Sequence, residues 1–256
     1  MAGQINNSIV RSFAILGLFS EHRTEITSAV VVRELGLNAV TAHRFLKSLE
    51  HVGALVSIGR GVYRLGYRLF DLASQVEGEP HLAMQLQPVL DDLAAAANKS
   101  AMATRFDGRN VFCIATGLSK HAVAFNARVG ARFETHATAN GKLWLAELDD
   151  AALNRHLATV PRETFSGRTV VSTESLLAEI AVIRERGYAI NDGEREPDLR
   201  AIAAPVRDTS GRMIAGISVF GPSSRFDRAA CDAALPLLLE AVAQAGSRLA
   251  PRRSAG

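Results

Sequence analysis

Three short segments of helical apolar periodicity open the chain, and each is bounded by residues that begin or end helices. The candidate N-caps are Ser8, Thr27 or Ser28, and Asn38, and the helices are predicted to end near Ser20, at Gly36 and at Gly53. A short turn that contains Gly36 separates the second predicted helix from the third, which is the spacing of a helix-turn-helix. This pattern constrains the start of the chain to a small helical domain.

A predicted β-hairpin follows the third helix. Strands at Ala54–Ile58 and Val62–Leu65 flank Gly59-Arg60-Gly61, whose glycines permit the positive φ of a tight turn. Three helices and a hairpin predict a winged helix-turn-helix over residues 1–66.

A domain boundary is predicted at Glu77-Gly78-Glu79-Pro80, which interrupts the helical pattern. The segment before it, Tyr67–Ser74, has the pattern of a linker helix. We therefore expect a linker over residues 67–79 and a second domain over residues 80–256.

The second domain alternates between helix and strand patterns. Helices are predicted at 81–98, 141–147, 151–157, 173–187 and 227–249, and strands at 101–106, 111–116, 121–128, 188–191, 200–206 and 213–220. Strands bounded by helices at both ends predict an α+β fold with a mainly antiparallel sheet that is covered by helices.

The positive charge of the chain lies in its first quarter. Residues 1–73 carry eight cations and five anions, whereas the rest of the chain carries 21 of each, so the net charge of +3 belongs to the predicted winged helix. This is the sign expected of a domain that meets phosphate, although a small excess also arises by chance.

The third predicted helix carries the candidate DNA contacts. Phe45, Leu46 and Leu49 share one face and are expected in the core. We assign Thr41, His43 and Arg44 to the major groove and Lys47 to the groove or the backbone, because the N-terminal part of a recognition helix reads bases. Further phosphate contacts are assigned to Arg60 at the hairpin tip, which also has the minor groove within reach, and to Arg11. The alternative is that these cations form an ordinary solvated helix face.

Several other classes of protein are not indicated. The start of the chain lacks a secretory signal pattern, no apolar run approaches the length of a membrane span, and Cys113 and Cys231 are too far apart in sequence to suggest a disulfide framework. The seven histidines form no metal-ligand motif, and the chain has no nucleophile elbow, P-loop or Gly-x-Gly-x-x-Gly. We therefore expect no enzyme activity, metal, cofactor or membrane partner, and a cytoplasmic location.

Seven segments together resemble the isocitrate lyase regulator (IclR) family of bacterial transcription factors. They are Asn7–Ser12, Gly36–Leu46, Tyr63–Gly66, His136–Ala146, Arg186–Glu194, Ile202–Val206 and Ile217–Pro222. The resemblance spans nearly the whole chain and implies a GAF-like effector domain that binds a small organic molecule, often a carboxylate, in a homodimer or homotetramer. Val40 is a departure, because the family usually has Ser there and one polar contact to DNA is lost.

The resemblance also implies the effector-binding residues, which are Ala139, Asn140, Asn191, Ala201, Ser218 and Phe220. Asn140-Gly141 is expected to open a helix whose free N–H groups and dipole can hold an anion. Ala201 and Phe220 are less polar than the residues of relatives that sense two- and three-carbon acids, so a larger or aromatic acid is the working hypothesis. Ordinary core packing is the alternative for both residues.

The combined prediction is a ligand-responsive repressor or activator of a catabolic operon. A dimer would bind a palindromic or repeated DNA operator, and the effector would change DNA affinity or the recruitment of RNA polymerase. Two alternatives remain at this point: an enzyme that is tethered by its N-terminal module, and a winged helix that contacts protein instead of DNA.

Overall fold

The computed structural model describes residues 5–20, 23–75, 79–119 and 128–249. The chain divides into two compact units, Met1–Glu77 and Gly78–Gly256. The predicted strand at 121–128 lies outside the described residues except for Arg128.

The N-terminal unit contains helices and a small sheet. Its elements are α1 (Asn7–Leu16), β1 (Ile26–Thr27), α2 (Ser28–Leu35), α3 (Ala39–His51), β2 (Leu55–Gly59), β3 (Val62–Leu65) and α4 (Tyr67–Ser74). The strands pair antiparallel in the order β1-β3-β2. The predicted winged helix-turn-helix is confirmed, with β1 as an added short strand.

Side-chain caps at the starts of α2 and α3 and a glycine at the end of α2 fix the bounds of these helices. Thr27 Oγ1 accepts a hydrogen bond from Val30 N at 3.4 Å, and Asn38 Oδ1 accepts one from Thr41 N at 2.8 Å. Gly36 ends α2 with a φ of 65°, a left-handed conformation that glycine adopts without a steric penalty.

Two local predictions in this unit were wrong. Asn6, not Ser8, caps α1, because Asn6 Oδ1 accepts from Ser8 N at 2.9 Å, and the helix ends at Leu16 instead of near Ser20. In the hairpin, Gly61 has a positive φ of 74°, but Gly59 does not have a positive φ. Gly59 ends β2, where the pairing with β3 shifts register.

The core of the N-terminal unit lies beneath α3. Leu46 and Leu49 are buried as predicted, Phe45 packs against the core while partly exposed, and Ala42 joins them. The remaining buried apolar residues come from α1, α2, the three strands and the residue before β2: Ile15, Val31, Ile26, Leu55, Tyr63 and Ala54. This packing fixes which face of α3 lies against the core and therefore which face lies outward.

The C-terminal unit is a six-stranded antiparallel sheet with helices on both faces. Its elements are α5 (Glu79–Ala97), β4 (Ser100–Phe106), β5 (Val111–Gly117), β6 (Arg132–Phe133), α6 (Ala139–Ala146), α7 (Asp150–Thr159), α8 (Thr173–Arg186), β7 (Ala189–Asp192), β8 (Leu199–Arg207), β9 (Met213–Pro222) and α9 (Arg228–Leu249). The strand order is β6-β5-β4-β9-β8-β7. This confirms the predicted α+β class.

Strand alternation divides the C-terminal unit into two cores. On β9, Ile217 and Val219 face a core formed with α5 and α9, whereas Phe220 faces a second core formed with α6, α7 and α8. The period of two along the strands therefore decides which residues meet the α6 side of the sheet.

Helices α5, α7 and α9 begin within two residues of their predicted starts, at Glu79, Asp150 and Arg228, and the starts of α6 and α8 need correction. Helix α6 begins at Ala139 instead of Gly141, and its N-cap is Thr138. Helix α8 is capped by Ser172, not Thr173, because Ser172 Oγ accepts from Ser175 N at 3.4 Å.

Helix α9 is long and apolar enough to cross a membrane by length and composition, with a mean hydropathy of 1.2 over 18 residues. This contrasts with the expectation that no segment approaches such a length. Its buried residues, including Leu238 and Ala245, pack in the core shared with α5 and the sheet. That packing accounts for the apolar composition of α9.

Candidate functional site

The face of α3 opposite the core carries the predicted DNA contacts. Four of the five candidate residues on α3 are exposed: Val40, His43, Arg44 and Lys47. Thr41, the fifth, is half-buried. The cationic side of α3 therefore lies open to solvent.

Helices α1 and α3 together form a surface depression. It is lined by Ser8, Arg11, Ser12, Thr41, Arg44, Phe45 and Ser48. The depression brings Arg11 of α1 next to Thr41 and Arg44 of α3, although they are about thirty residues apart in sequence. Two guanidinium groups with flanking hydroxyl groups supply the donors that bind a phosphate oxygen in protein–DNA complexes.

The charges around this depression are not neutralised equally. Among the described residues of the N-terminal unit, Arg11 and Arg44 form no ion pair, whereas Lys47 Nζ lies 2.8 Å from Glu50 Oε2. The hydrogen bond to Glu50 raises the pKa of Lys47. Arg60 is exposed at the hairpin turn and does not line the depression.

A cavity in the C-terminal unit gathers the second set of predicted residues. It is lined by Met102, Phe133, Ala137, Thr138, Ala139, Asn140, Asn191, Arg195, Leu199, Ala201, Ser218 and Phe220. All six predicted effector-binding residues are among these twelve. The free space is about 40 Å³, room for a few water molecules.

Strand register explains how residues far apart in sequence share one wall. Asn191 of β7 pairs with Ala201 of β8, and Ala201 pairs with Phe220 of β9, so the three form a row across the sheet. Ser218 lies two residues before Phe220 and therefore on the same face. The start of α6 supplies Ala139 and Asn140 to the same cavity.

The polar groups of the cavity are largely tied to protein partners. Asn140 Nδ2 donates to Ser218 Oγ at 2.8 Å, and Asn191 Nδ2 donates to the carbonyl oxygen of Ala137 at 2.6 Å. Asn140 Oδ1 is buried without a hydrogen-bond partner in the described residues. The two amides thus hold the α6 end of the cavity against the sheet.

The expected anion site at Asn140-Gly141 needs correction. Thr138 Oγ1 accepts a hydrogen bond from Gly141 N at 3.0 Å, so the N–H of Gly141 is already satisfied. The first-turn N–H groups that lack an intrahelical acceptor belong to Ala139 and Asn140, one residue earlier than predicted.

Arg195 was missed by sequence reasoning, and it alone carries a charge among the described residues that line the cavity. Its Nε lies 2.6 Å from Glu134 Oε2, and its Nη1 lies 2.6 Å from Glu196 Oε1. The guanidinium also lies over the rings of Phe133 and Phe165, at 5.8 and 5.5 Å from their centroids. In sequence, Glu194-Arg195-Glu196 has the pattern of solvated charge, so only the three-dimensional arrangement identifies it.

Lys142 is a second residue whose environment the sequence did not indicate. Its side chain is fully buried, and its Nζ lies 2.5 Å from Glu179 Oε1 and 2.6 Å from Glu194 Oε1. Burial raises the pKa of Glu194 against the opposing effect of Lys142. The ion pairs connect α6, α8 and the β7–β8 loop, which carries Arg195.

Two histidines are buried beside the second core. His136 Nε2 lies 2.8 Å from the carbonyl oxygen of Glu163, and His156 Nε2 lies 2.8 Å from Thr135 Oγ1. Burial lowers the pKa of both imidazoles. Within the part of the chain that the structure describes, no three His, Cys, Asp or Glu side chains cluster as a metal site would require.

Comparison with known proteins connects both sites to one family. Residues 8–58 match the IclR helix-turn-helix domain, and residues 75–248 match the C-terminal domain of the bacterial transcriptional regulator IclR. The chain is 33% identical over 246 residues to the HTH-type transcriptional regulator XynR of Escherichia coli, covering 96% of each chain.

Two further similarities are with a second curated regulator and with a ligand-bound crystal structure. The Pca regulon regulatory protein of Pseudomonas putida is 28% identical over 236 residues, covering 91% of this chain and 81% of that protein. A crystal structure of an IclR homolog from Microbacterium hydrocarbonoxydans, complexed with 4-hydroxybenzoate, superposes with a TM-score of 0.78 at 25% identity, covering 94% of this chain and 98% of that one.

A winged helix-turn-helix joined to a second domain that contains a cavity, together with these similarities, defines a ligand-responsive, DNA-binding transcriptional regulator. The chain belongs to the IclR family of bacterial transcriptional regulators.

Proposed function

We propose that the N-terminal unit binds operator DNA with α3 in the major groove. The observation that carries this proposal is the depression that places Arg11, Thr41 and Arg44 side by side. Thr41, His43 and Arg44 would meet base edges, whereas Arg11 and Arg60 would meet phosphates. Val40 lies beside them at the start of α3. Lys47 would exchange Glu50 for a phosphate, because an exposed ion pair contributes little to stability.

We propose that the effector is a small organic acid with an apolar, aromatic body. Phe133, Leu199 and Phe220 supply apolar contacts in the cavity, and Arg195 supplies a cation for a carboxylate. Ala139, Asn140, Asn191, Ala201 and Ser218 would complete the contacts. The bound 4-hydroxybenzoate of the Microbacterium relative supports this class of ligand.

The effector acts through the shape of the cavity in this proposal. Its lining comes from the start of α6, the β7–β8 loop and the sheet, so a bound acid would contact all three. A ligand that favours one arrangement of these elements over another shifts the population toward it. In this proposal, the effector domain at residues 80–256 acts on the DNA-binding domain at residues 1–66 through the linker at 67–79. The result would be a change in DNA affinity or in the recruitment of RNA polymerase.

Homodimerisation is proposed from exposed apolar side chains of the N-terminal unit. Phe13 of α1 is 70% exposed, and Tyr67 and Phe70 of α4 are 90% and 75% exposed. A second copy of the chain would cover these rings and place two copies of α3 on two half-sites. A homotetramer would add a second such pair. In sedimentation experiments, Phe13→Glu or Phe70→Glu should shift the protein toward a smaller species.

We infer that the chain regulates in the cytoplasm and catalyses no reaction. Apart from Arg195, the described lining of the cavity consists of neutral amide, hydroxyl and apolar side chains, and Arg195 is engaged by two carboxylates. Such a set binds a ligand without supplying a nucleophile and base pair.

A DNA-binding titration with the full chain tests this function. Fluorescence anisotropy on the DNA upstream of its own gene should give sequence-preferring binding that weakens steeply as salt rises. Addition of the acid identified in a thermal-shift screen should change the Kd. Equal affinity for unrelated DNA, or turnover of the acid, would contradict the proposal.

A further inference from the structure

Val40 occupies an unusual place on the outward face of α3. Counting by helical periodicity, Val40, Arg44, Lys47 and His51 are spaced i, i+4, i+7 and i+11, so they form one stripe along the helix. The stripe lies opposite the buried residues Ala42, Leu46 and Leu49. Val40 is its one apolar member, and it is 71% exposed.

The position of Val40 along the helix matters as much as its face. Asn38 caps α3 by accepting a hydrogen bond from Thr41 N at 2.8 Å, so the first turn that carries Val40 is held in place. In a helix-turn-helix, the N-terminal residues of the recognition helix contact base edges. Arg44, which forms no ion pair among the described residues, lies one turn further on along the same stripe.

The chemistry of Val40 restricts what it can recognise. Its side chain neither donates nor accepts a hydrogen bond, so it cannot read the polar pattern of a base edge. The one apolar group that the major groove of unmodified DNA displays is the C5 methyl group of thymine. We propose that Val40 packs against a thymine methyl group and so specifies a T·A pair in each operator half-site. The proposal rests on the proposed DNA-binding function of α3.

The test replaces thymine by deoxyuridine, which lacks the methyl group and keeps every hydrogen-bonding group. An operator is first selected from a random duplex library with the full chain. Each thymine of one half-site is then replaced singly by deoxyuridine, and the Kd is measured by fluorescence anisotropy. The wild type should lose about fourfold in affinity at one thymine, the equivalent of one methyl group left exposed to water.

Substitutions assign that loss to Val40. Val40→Ser should abolish the deoxyuridine effect at this thymine, whereas Val40→Ile should retain it. Val52→Ser is the matched control, because Val52 is 59% exposed at the other end of the same helix and should leave the effect unchanged. Thr41→Ser tests the neighbouring methyl group and should also leave it unchanged.

The outcomes separate this proposal from the function on which it rests. A selected half-site without a fixed thymine, tolerance of deoxyuridine at every position, or a deoxyuridine penalty that persists in Val40→Ser would each overturn the role of Val40 while DNA binding stands. Selection of no preferred sequence would overturn both.

Discussion

The side-chain amide of Asn140 donates a 2.8 Å hydrogen bond to the hydroxyl group of Ser218, which joins the first turn of α6 to strand β9. Both residues line the cavity and both are buried. This bond closes one side of the cavity, so a ligand that enters between α6 and the sheet meets it directly.

Ser218→Ala should destabilise the protein by about 1–3 kcal/mol, because it leaves the buried amide of Asn140 without its acceptor. The loss in the double variant Asn140→Ala/Ser218→Ala should be smaller than the sum of the two single losses. Urea denaturation measures each value. Ser247→Ala, an exposed serine on α9, is the control, and an equal effect of both serine substitutions would show that the Asn140–Ser218 bond carries no stability.

Lys142→Met should cost about 3–5 kcal/mol of stability, because it leaves Glu194 buried beside Glu179 with no cation. Removing the stranded carboxylate in Lys142→Met/Glu194→Leu should recover part of the loss. The surface pair of Lys47 and Glu50 is the control, since Lys47→Met should leave the stability nearly unchanged. A loss from Lys142→Met no larger than this would contradict the structural role of Lys142.

The stability of the protein should fall as the solution is acidified below pH 6.5. Burial lowers the folded-state pKa of His136 and His156 below the ordinary value of 6.5, so the unfolded chain binds more protons in this range. The contribution of each histidine is full above pH 6.5 and is lost as the pH falls toward its folded pKa. Each proton taken up on unfolding adds a slope of about 1.4 kcal/mol per pH unit.

Denaturation between pH 5.5 and 7.5 checks this slope. The raised pKa of Glu194 acts in the opposite direction, but it is common to the wild type and the variants and cancels in their comparison. His136→Gln and His156→Gln should each reduce the slope relative to the wild type. Slopes that stay the same in both variants would refute the assignment to these histidines.

Arg195→Ala should weaken the binding of an acidic effector by about tenfold or more, the loss expected for one charge-assisted hydrogen bond. Calorimetric titration with the acid found by thermal-shift screening, and with its neutral amide, separates charge from shape. The amide should bind the wild type weakly and lose little further in Arg195→Ala. Arg212→Ala, at an exposed site on the β8–β9 turn, is the control, and an acid that binds Arg195→Ala as tightly as the wild type would contradict the role of Arg195.

Local chemistry accounts for the features that sequence reasoning predicted well. Thr27, Gly36 and Asn38 fix the ends of α2 and α3 through contacts within three or four residues, so the pattern is readable in the chain itself. The two-residue strands β1 and β6 were missed, because they are too short to show a period of two.

Long-range contacts explain what the sequence did not indicate about the site. Lys142 acquires its partners from 37 and 52 residues away, and Arg195 acquires Glu134 from 61 residues away. The six cavity residues were located through resemblance to a family, and their shared wall depends on a register between strands that no local pattern fixes. The start of α6 was misplaced by two residues because Thr138 competes with Asn140 as a cap.

The most direct test of the account is the affinity of Arg44→Ala for the selected operator, measured by fluorescence anisotropy over a range of salt concentrations. We predict a loss of about 1–3 kcal/mol in specific binding, because Arg44 is exposed on the outward face of α3 and has no ion-pair partner in the described part of the chain. Arg212→Ala should bind as the wild type does. An Arg44→Ala variant that keeps the wild-type affinity and the wild-type salt dependence would contradict the assignment of α3 as the DNA-reading element.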